Sequence, residues 1–126
     1  MTTEPSLITL PTVDHGDVVL PEPAWCAGHA HHDPETERAD LMHAGPVIEC
    51  APLGRPLLSA ELVQSPFANT ESRRLGGRTP GVSVWPLGLT LNATDLYSLA
   101  AELDTYADRL RTLADRLATV LDGDNR

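Results

Sequence analysis

The hydrophobic and polar positions divide the chain into a strand-rich first part and a helical last part. Residues 6–20 form two short apolar runs around the turn sequence Asp14-His15-Gly16, which predicts two strands joined by a tight turn. Pro11 lies inside the first run and has no backbone N–H to donate to a neighbouring strand. We therefore expect the first strand to lie at a sheet edge or to end at Pro11.

Further short apolar runs, separated by Gly and Pro, predict the remaining strands. Residues 46–53 and 56–64 flank Gly54-Arg55, and this spacing is typical of a hairpin. Two shorter runs, 81–87 and 89–91, predict additional strands. We expect these strands to form a small antiparallel sheet.

Neither Gly nor Pro interrupts the chain between Asn92 and Leu121, which predicts one long helix over residues 92–122. Asn92 is a favourable N-cap, and Asp95 three residues later resembles a capping box. Gly123 stands where a left-handed C-cap is favoured.

Apolar residues recur along this helix at alternating steps of three and four, and they form a heptad stripe over more than three repeats. Such a stripe can pack on the sheet of its own domain. It can also pair with another helix, most simply in a two-fold homodimer. The apolar stripe comprises Leu96, Leu99, Leu103, Tyr106, Leu110, Leu113, Leu117 and Val120, and Ala100, Ala107, Ala114 and Leu121 widen it on one side.

These elements predict a single α+β domain over residues 1–126. A strand- and loop-rich part, residues 1–91, contains a Cys/His loop at 21–50, and the C-terminal helix follows at 92–122. The chain has five aromatic residues outside histidine, so the core must consist mainly of Leu, Val and Ala. Eleven Pro and nine Gly indicate much irregular structure, and a small loop-rich fold of this kind gains from a metal or another cross-link.

The net charge of −9, with Arg as every basic residue, argues against direct binding to a phosphate backbone. It suits a basic protein partner. An acidic mimic that occupies a nucleic-acid-binding surface is a weaker alternative. We expect no membrane span, because no apolar run approaches the roughly 20 residues required. The N-terminal sequence lacks signal-peptide features, so we expect a cytoplasmic protein with cysteines that are reduced or bound to metal.

The long loop contains a spacing of Cys and His that is typical of a zinc site. Cys26 and His29 are three residues apart, so one turn can present both to one ion, and His43 follows from the far end of the loop. From spacing alone, Cys50 or His15 can supply the fourth ligand. A structureless loop of this length is improbable unless something orders it, and a structural zinc would do so.

The remaining histidines of the loop, His31 and His32, are expected to be bystanders, because adjacent side chains project in different directions. No HExxH, GxSxG or glycine-rich phosphate loop is present in the sequence. An alternative is a metal-dependent enzyme with an open zinc position at Cys26, His29 and His43.

Four motifs resemble a family of small uncharacterised actinobacterial proteins: DHG (14–16), PEPAWCAGH (21–29), RADLMHAGP (38–46) and QSPF (64–67). Members of this family also end in a helix similar to residues 96–117. The resemblance implies no particular activity, and it supports the choice of residues. The matching positions are His15, Trp25, Cys26, His29, Arg38, Asp40, His43 and Gly45.

The resemblance also bears on the fourth ligand. The family pattern does not include a Cys at position 50, which favours His15 over Cys50. Some similar proteins carry a Cys at the position of Glu22, so Glu22 is either a spectator or a carboxylate ligand. Together these features lead us to expect a non-enzymatic, zinc-stabilised regulatory or adaptor protein that acts through a protein partner or as a homodimer.

Overall fold

The computed structural model describes residues 6–70 and 76–124, and within them it shows antiparallel strands followed by one long helix. The α+β prediction is confirmed, although the strands form two sheets. The elements are β1 (Ser6–Thr12), β2 (Gly16–Glu22), β3 (His43–Ala44), β4 (Ile48–Cys50), β5 (Leu58–Gln64), β6 (Gly81–Trp85), β7 (Leu89–Leu91) and α1 (Ala93–Asp124).

Strands β1 and β2 form the predicted first hairpin, a two-stranded antiparallel sheet. Gly16 adopts φ +61°, a left-handed conformation that glycine reaches without steric cost. The Thr12 hydroxyl donates to the Gly16 carbonyl at 2.8 Å and accepts from the His15 N–H at 3.0 Å. Pro11 lies within β1, which pairs with β2 in a two-stranded sheet and is therefore an edge strand. An edge strand tolerates a residue without a backbone N–H.

The second sheet has five strands and is organised around β5. β6 pairs with one edge of β5 and continues to β7, and both β3 and β4 pair with β5 in antiparallel fashion. The strand predicted over residues 46–53 is shorter in the structure, because Pro46 and Pro52 flank β4 and cannot donate ladder hydrogen bonds. β3 was not predicted, and it pairs His43 with Gln64 at the end of β5.

A buried cluster anchors the hairpin to the long loop. Leu10 and Leu20 lie on one face of the hairpin and pack with Leu41, and each side chain is at most 7% exposed. Leu41 follows a short 3₁₀ turn, Arg38–Asp40, within the long loop. The partly buried residues packed on this cluster are Ile8, Val18 and Phe67.

Three hydrogen bonds fasten the middle of the loop to the tip of the hairpin. The Val13 N–H donates to the Thr36 carbonyl at 3.1 Å, and the Arg38 N–H donates to the Asp14 carboxylate at 2.9 Å. The His32 ring nitrogen donates to the Pro11 carbonyl at 2.8 Å. His32 therefore has a role in holding the loop, a role that the sequence did not suggest.

By its internal contacts the chain divides into two compact units, residues 1–92 and residues 93–126. All seven strands lie in the first unit, and α1 makes up the second. The prediction of one domain over residues 1–126 stays a prediction.

Helix α1 begins directly after Asn92, as predicted, and it continues through Gly123, so the predicted C-cap at Gly123 is wrong. The apolar stripe is solvent-exposed from Leu103 to Val120, with relative exposures between 42% and 58%. Among the residues that the structure describes, no helix is both long enough and apolar enough to cross a membrane.

Candidate metal centre

Four side chains from three places in the first unit converge on one point. Glu22 is the last residue of β2, Cys26 and His29 lie in the loop that follows, and His43 lies in β3. One ligand atom from each lies within 4.8 Å of every other. Three of these residues were predicted as ligands, and the structure brings them together with Glu22.

The backbone around Cys26 directs its thiol towards β3. The Cys26 N–H donates to the Pro23 carbonyl at 3.0 Å and closes a turn, and the Ala27 N–H donates to the Ala44 carbonyl at 2.8 Å. Gly28 then adopts φ +103°, which disfavours any residue with a side chain, and the chain reverses between Cys26 and His29. This reversal places both ligands on the same side of the loop.

Pairing of β3 with β5 fixes His43, and aromatic packing supports it. The His43 side chain is 2% exposed, and the edge of its ring contacts Trp25 with centroids 6.3 Å apart. The Gly45 N–H donates to the Leu62 carbonyl at 2.8 Å, and a Cβ at Gly45 would lie 3.1 Å from the Trp25 carbonyl oxygen. Trp25 therefore lies beside the candidate metal centre and packs against one of its members.

The distances from His29 Nε2 to the other three groups are short and similar. His29 Nε2 lies 3.5 Å from Cys26 Sγ, 3.3 Å from His43 Nδ1 and 3.2 Å from each Glu22 carboxylate oxygen. His43 Nδ1 lies 3.0 Å from Glu22 Oε1.

Hydrogen bonding alone does not account for these contacts. His29 Nε2 carries either one hydrogen or one lone pair, so it can form one of its three close contacts as a good hydrogen bond. A cation between the four groups would satisfy all the contacts at once, because each donor would direct a lone pair at the same ion.

The spacing also matches the size of a tetrahedral zinc site. Zinc bonds of about 2.0–2.1 Å to nitrogen and about 2.3 Å to sulfur imply tetrahedral edges of about 3.3 Å between nitrogens and about 3.6 Å between nitrogen and sulfur. The measured edges are 3.3 Å for the two histidines and 3.5 Å for Cys26 with His29. The residues therefore fit a four-coordinate ion.

Burial and neighbouring charges set the protonation of the group. Burial raises the pKa of the Cys26 thiol, and its hydrogen bond to Glu22 adds to the rise. Burial also acts to raise the pKa of Glu22, but hydrogen bonds from Cys26 and His29 and the charge of the histidines outweigh it and lower that pKa. Burial lowers the pKa of His43 against the opposing charge of Glu22. Glu22 and His43 are thus held in the forms that bind a metal, and a metal would displace the Cys26 proton.

The two residues considered as fourth ligand lie elsewhere. The His15 ring contacts the Asp14 carboxylate at 3.1 Å at the tip of the first hairpin, and its side chain is 57% exposed. Cys50 is exposed at the end of β4, opposite Leu58, and is not bonded to Cys26. Glu22 completes the group in their place.

A cleft of about 550 Å³ opens beside His29 on the loop side of the group. His29 is a member of the group of candidate ligands and also lines this cleft. Other residues that line it include His31, His32, Asp40 and Met42.

The fold and the site together define a small α+β protein with a Glu/Cys/His/His group that could hold a metal ion. The chain belongs to the family of a domain of unknown function, DUF6907, whose family profile matches residues 7–119. This match includes all four residues of the group and most of the apolar stripe. Comparisons with curated proteins and with solved structures found no match.

Proposed function

We propose that this protein is a non-enzymatic, zinc-stabilised regulatory or adaptor protein that acts through protein–protein interaction. The observation that carries the metal part is the convergence of four donor groups, in which His29 Nε2 lies within 3.5 Å of each of the other three. One thiolate, two imidazoles and one carboxylate form a donor set that suits zinc.

The positions of the ligands argue for a structural ion. Glu22 ends a strand of the two-stranded sheet, and His43 lies in a strand of the five-stranded sheet. A zinc ion would join these two sheets through the loop that carries Cys26 and His29. Its binding free energy would then contribute directly to folding of the first unit.

The exposed apolar stripe of α1 supports the interaction part of the proposal. Large contiguous apolar surfaces on soluble proteins mark contacts with partners. The other faces of α1 carry Asp and Arg, including the ion pair Asp108–Arg111 at 2.9 Å. The helix therefore combines an apolar contact face with a solvated surface.

Metal analysis of the purified protein tests the zinc centre. We expect about one zinc per chain in the wild type and little in Cys26→Ser or His43→Ala, because each removes one of four ligands. His31→Ala is the matched control, since His31 lies in the same loop outside the group. Removal of zinc by a chelator should unfold the first unit, as followed by tryptophan fluorescence and circular dichroism.

Two results would contradict the metal centre. A wild-type protein without zinc or another transition metal would remove it. Equal metal content in wild type, Cys26→Ser and His43→Ala would place the metal elsewhere.

The cleft beside His29 favours a second candidate, a metal-dependent enzyme whose zinc exchanges Glu22 for a substrate or water. An apo protein that stays folded after zinc removal would favour this candidate. Unfolding on zinc removal favours the structural role.

A further inference from the structure

The apolar stripe of α1 has a regular flank on each side. Ala100, Ala107, Ala114 and Leu121 follow one side at seven-residue intervals. The other side carries Asp95 in the first turn of the helix and then Glu102, Arg109 and Arg116 at the same interval. Small side chains on one flank and charged side chains on the other allow close approach of a second helix along the alanine side and ionic contacts along the charged side.

Glu102, Arg109 and Arg116 have no oppositely charged residue three or four positions away on their own helix. Side chains three and four positions apart are the neighbours on a helix surface. At those positions around Glu102, Arg109 and Arg116 the sequence has Ser, Thr, Leu, Tyr and Val. Asp108 and Arg111 differ, because they are three residues apart and form an ion pair within the helix.

An antiparallel alignment of α1 with a second copy of itself would place all eight stripe residues opposite stripe residues of the other copy. In that register each stripe residue meets a different residue of the second copy, and a two-fold axis lies near Asp108. Registers shifted by one heptad leave a pair of stripe residues uncovered at each end. The facing pairs are Leu96 with Val120, Leu99 with Leu117, Leu103 with Leu113, and Tyr106 with Leu110.

The same register places opposite charges together. Glu102 of each copy lies about two residues, roughly 3 Å along the axis, from Arg116 of the other copy, and their side chains lean towards each other. Arg109 meets its own symmetry equivalent near the axis. In a parallel pair these flank residues would instead face Ala107, Ala114 and Leu121, and none would gain a charged partner.

We propose that the apolar stripe binds α1 of a second copy of this chain in an antiparallel, two-fold pair aligned by two Glu102–Arg116 contacts. This inference rests on the proposed role of α1 as an interaction surface, and it names the partner. Apolar contacts along four heptads supply the attraction, and the charged flank sets the direction.

Charge reversal on the zinc-loaded, full-length protein tests the pair by sedimentation equilibrium. Glu102→Arg or Arg116→Glu replaces two attractions per dimer by two repulsions, so we expect the dimer Kd to rise about tenfold in each. The double variant Glu102→Arg/Arg116→Glu restores both contacts, and its Kd should return close to that of the wild type. Arg109→Gln removes the like-charge contact near the axis and should lower the Kd.

Asp104→Arg is the matched control, because it makes the same charge change as Glu102→Arg on a face away from the stripe. Its Kd should stay at the wild-type value. Far-UV circular dichroism of every variant verifies that α1 remains helical. Leu110→Glu places a charge in the centre of the stripe and should give a monomer.

Three results would overturn the inference. The first is a wild-type monomer at the highest soluble concentration. The second is an equal effect of Glu102→Arg and Asp104→Arg. The third is a double variant no tighter than either single variant, which would exclude the antiparallel register. Zinc content measured on the same samples separates the two proposals, since a monomer with full zinc removes the dimer and leaves the metal centre.

Discussion

At the scale of single residues, the proposed metal centre depends on one imidazole nitrogen that is close to three other donor groups. His29 Nε2 lies within 3.5 Å of a thiol, a second imidazole and a carboxylate. An ordinary hydrogen-bond network would spread such groups so that each hydrogen has one acceptor. The crowding around one atom is therefore the feature that distinguishes this group from a set of buried polar residues.

The role of Glu22 as a ligand leads to a testable prediction. Glu22→Gln keeps the shape of the side chain and removes its charge, so we expect zinc affinity to fall about tenfold or more. Glu22→Cys supplies a thiolate and should bind zinc at least as tightly as the wild type. Competition with a chromophoric chelator measures both affinities.

Glu35→Gln is the control for this series, because Glu35 is an exposed carboxylate of the same loop outside the group. Zinc affinity that is unchanged in Glu22→Gln would show that Glu22 is a spectator. The fourth ligand would then have to come from another residue or from water.

Sequence spacing was sufficient to propose Cys26, His29 and His43 as candidates, because these residue types are uncommon and suit zinc, and the structure brings the three side chains together. It was insufficient for the fourth group. A glutamate at the end of a strand resembles any surface carboxylate until the strand is known to end beside the loop. His15 had the more suitable chemistry, yet the hairpin holds it beside Asp14. The family resemblance, which implies a Cys at the position of Glu22 in some similar proteins, was the one signal that pointed to Glu22.

At the scale of elements, apolar periodicity predicted the long, regular elements and missed the shortest strand. The first hairpin and α1 have long, regular patterns, and both appear close to the predicted bounds. β3 has two residues, His43 and Ala44, and no periodicity can be read from two positions. Its pairing with β5 is a contact between segments distant in the sequence, and such pairing depends on the tertiary fold.

The hairpin's buried face should carry a large share of the stability of the first unit. Leu20 is 1% exposed and packs with Leu10 and Leu41, so Leu20→Ala should lower the free energy of unfolding by about 2–5 kcal/mol. Leu7 is 69% exposed in the same hairpin, and Leu7→Ala should change the free energy of unfolding by less than about 0.5 kcal/mol. Urea denaturation of the zinc-loaded protein measures both.

Leu20 is also two residues before Glu22, so its loss should loosen the strand that presents this ligand. We expect Leu20→Ala to weaken zinc binding as well as stability, while Leu7→Ala leaves both intact. Equal unfolding midpoints for the two variants would show that the hairpin face is not a core.

At the scale of the whole molecule, the protein has three features: a group of candidate metal ligands in its first unit, an acidic net charge, and an exposed apolar stripe on α1. The sequence indicated the acidic balance and the heptad stripe directly, because both are properties of composition and spacing. The division into two units follows from contacts, and no pattern of residues predicted that α1 would form a unit of its own. The charge-reversal variants of α1 test whether its partner is a second copy of the chain.

The four donors also lie close together along the chain, between Glu22 and His43, and this has a consequence for how the protein folds. The conformational entropy lost in closing a loop grows with the logarithm of its length. Bringing the four donors of this short segment together therefore costs little entropy. All four donors leave the ribosome before β5, the strand that later holds β3. Under the proposed function, zinc would therefore organise the first hairpin and its loop while the rest of the chain is still being made.

Refolding kinetics would reveal this order. In Trp85→Phe, Trp25 beside the centre is the remaining tryptophan, and its fluorescence should recover faster as zinc concentration rises. Recovery of the sheet signal in circular dichroism should follow as a later phase. A single phase with a rate independent of zinc would mean that the metal enters a finished fold. Binding of zinc before the fold is complete would instead mean that the zinc concentration influences how fast newly made chains fold and so avoid aggregation.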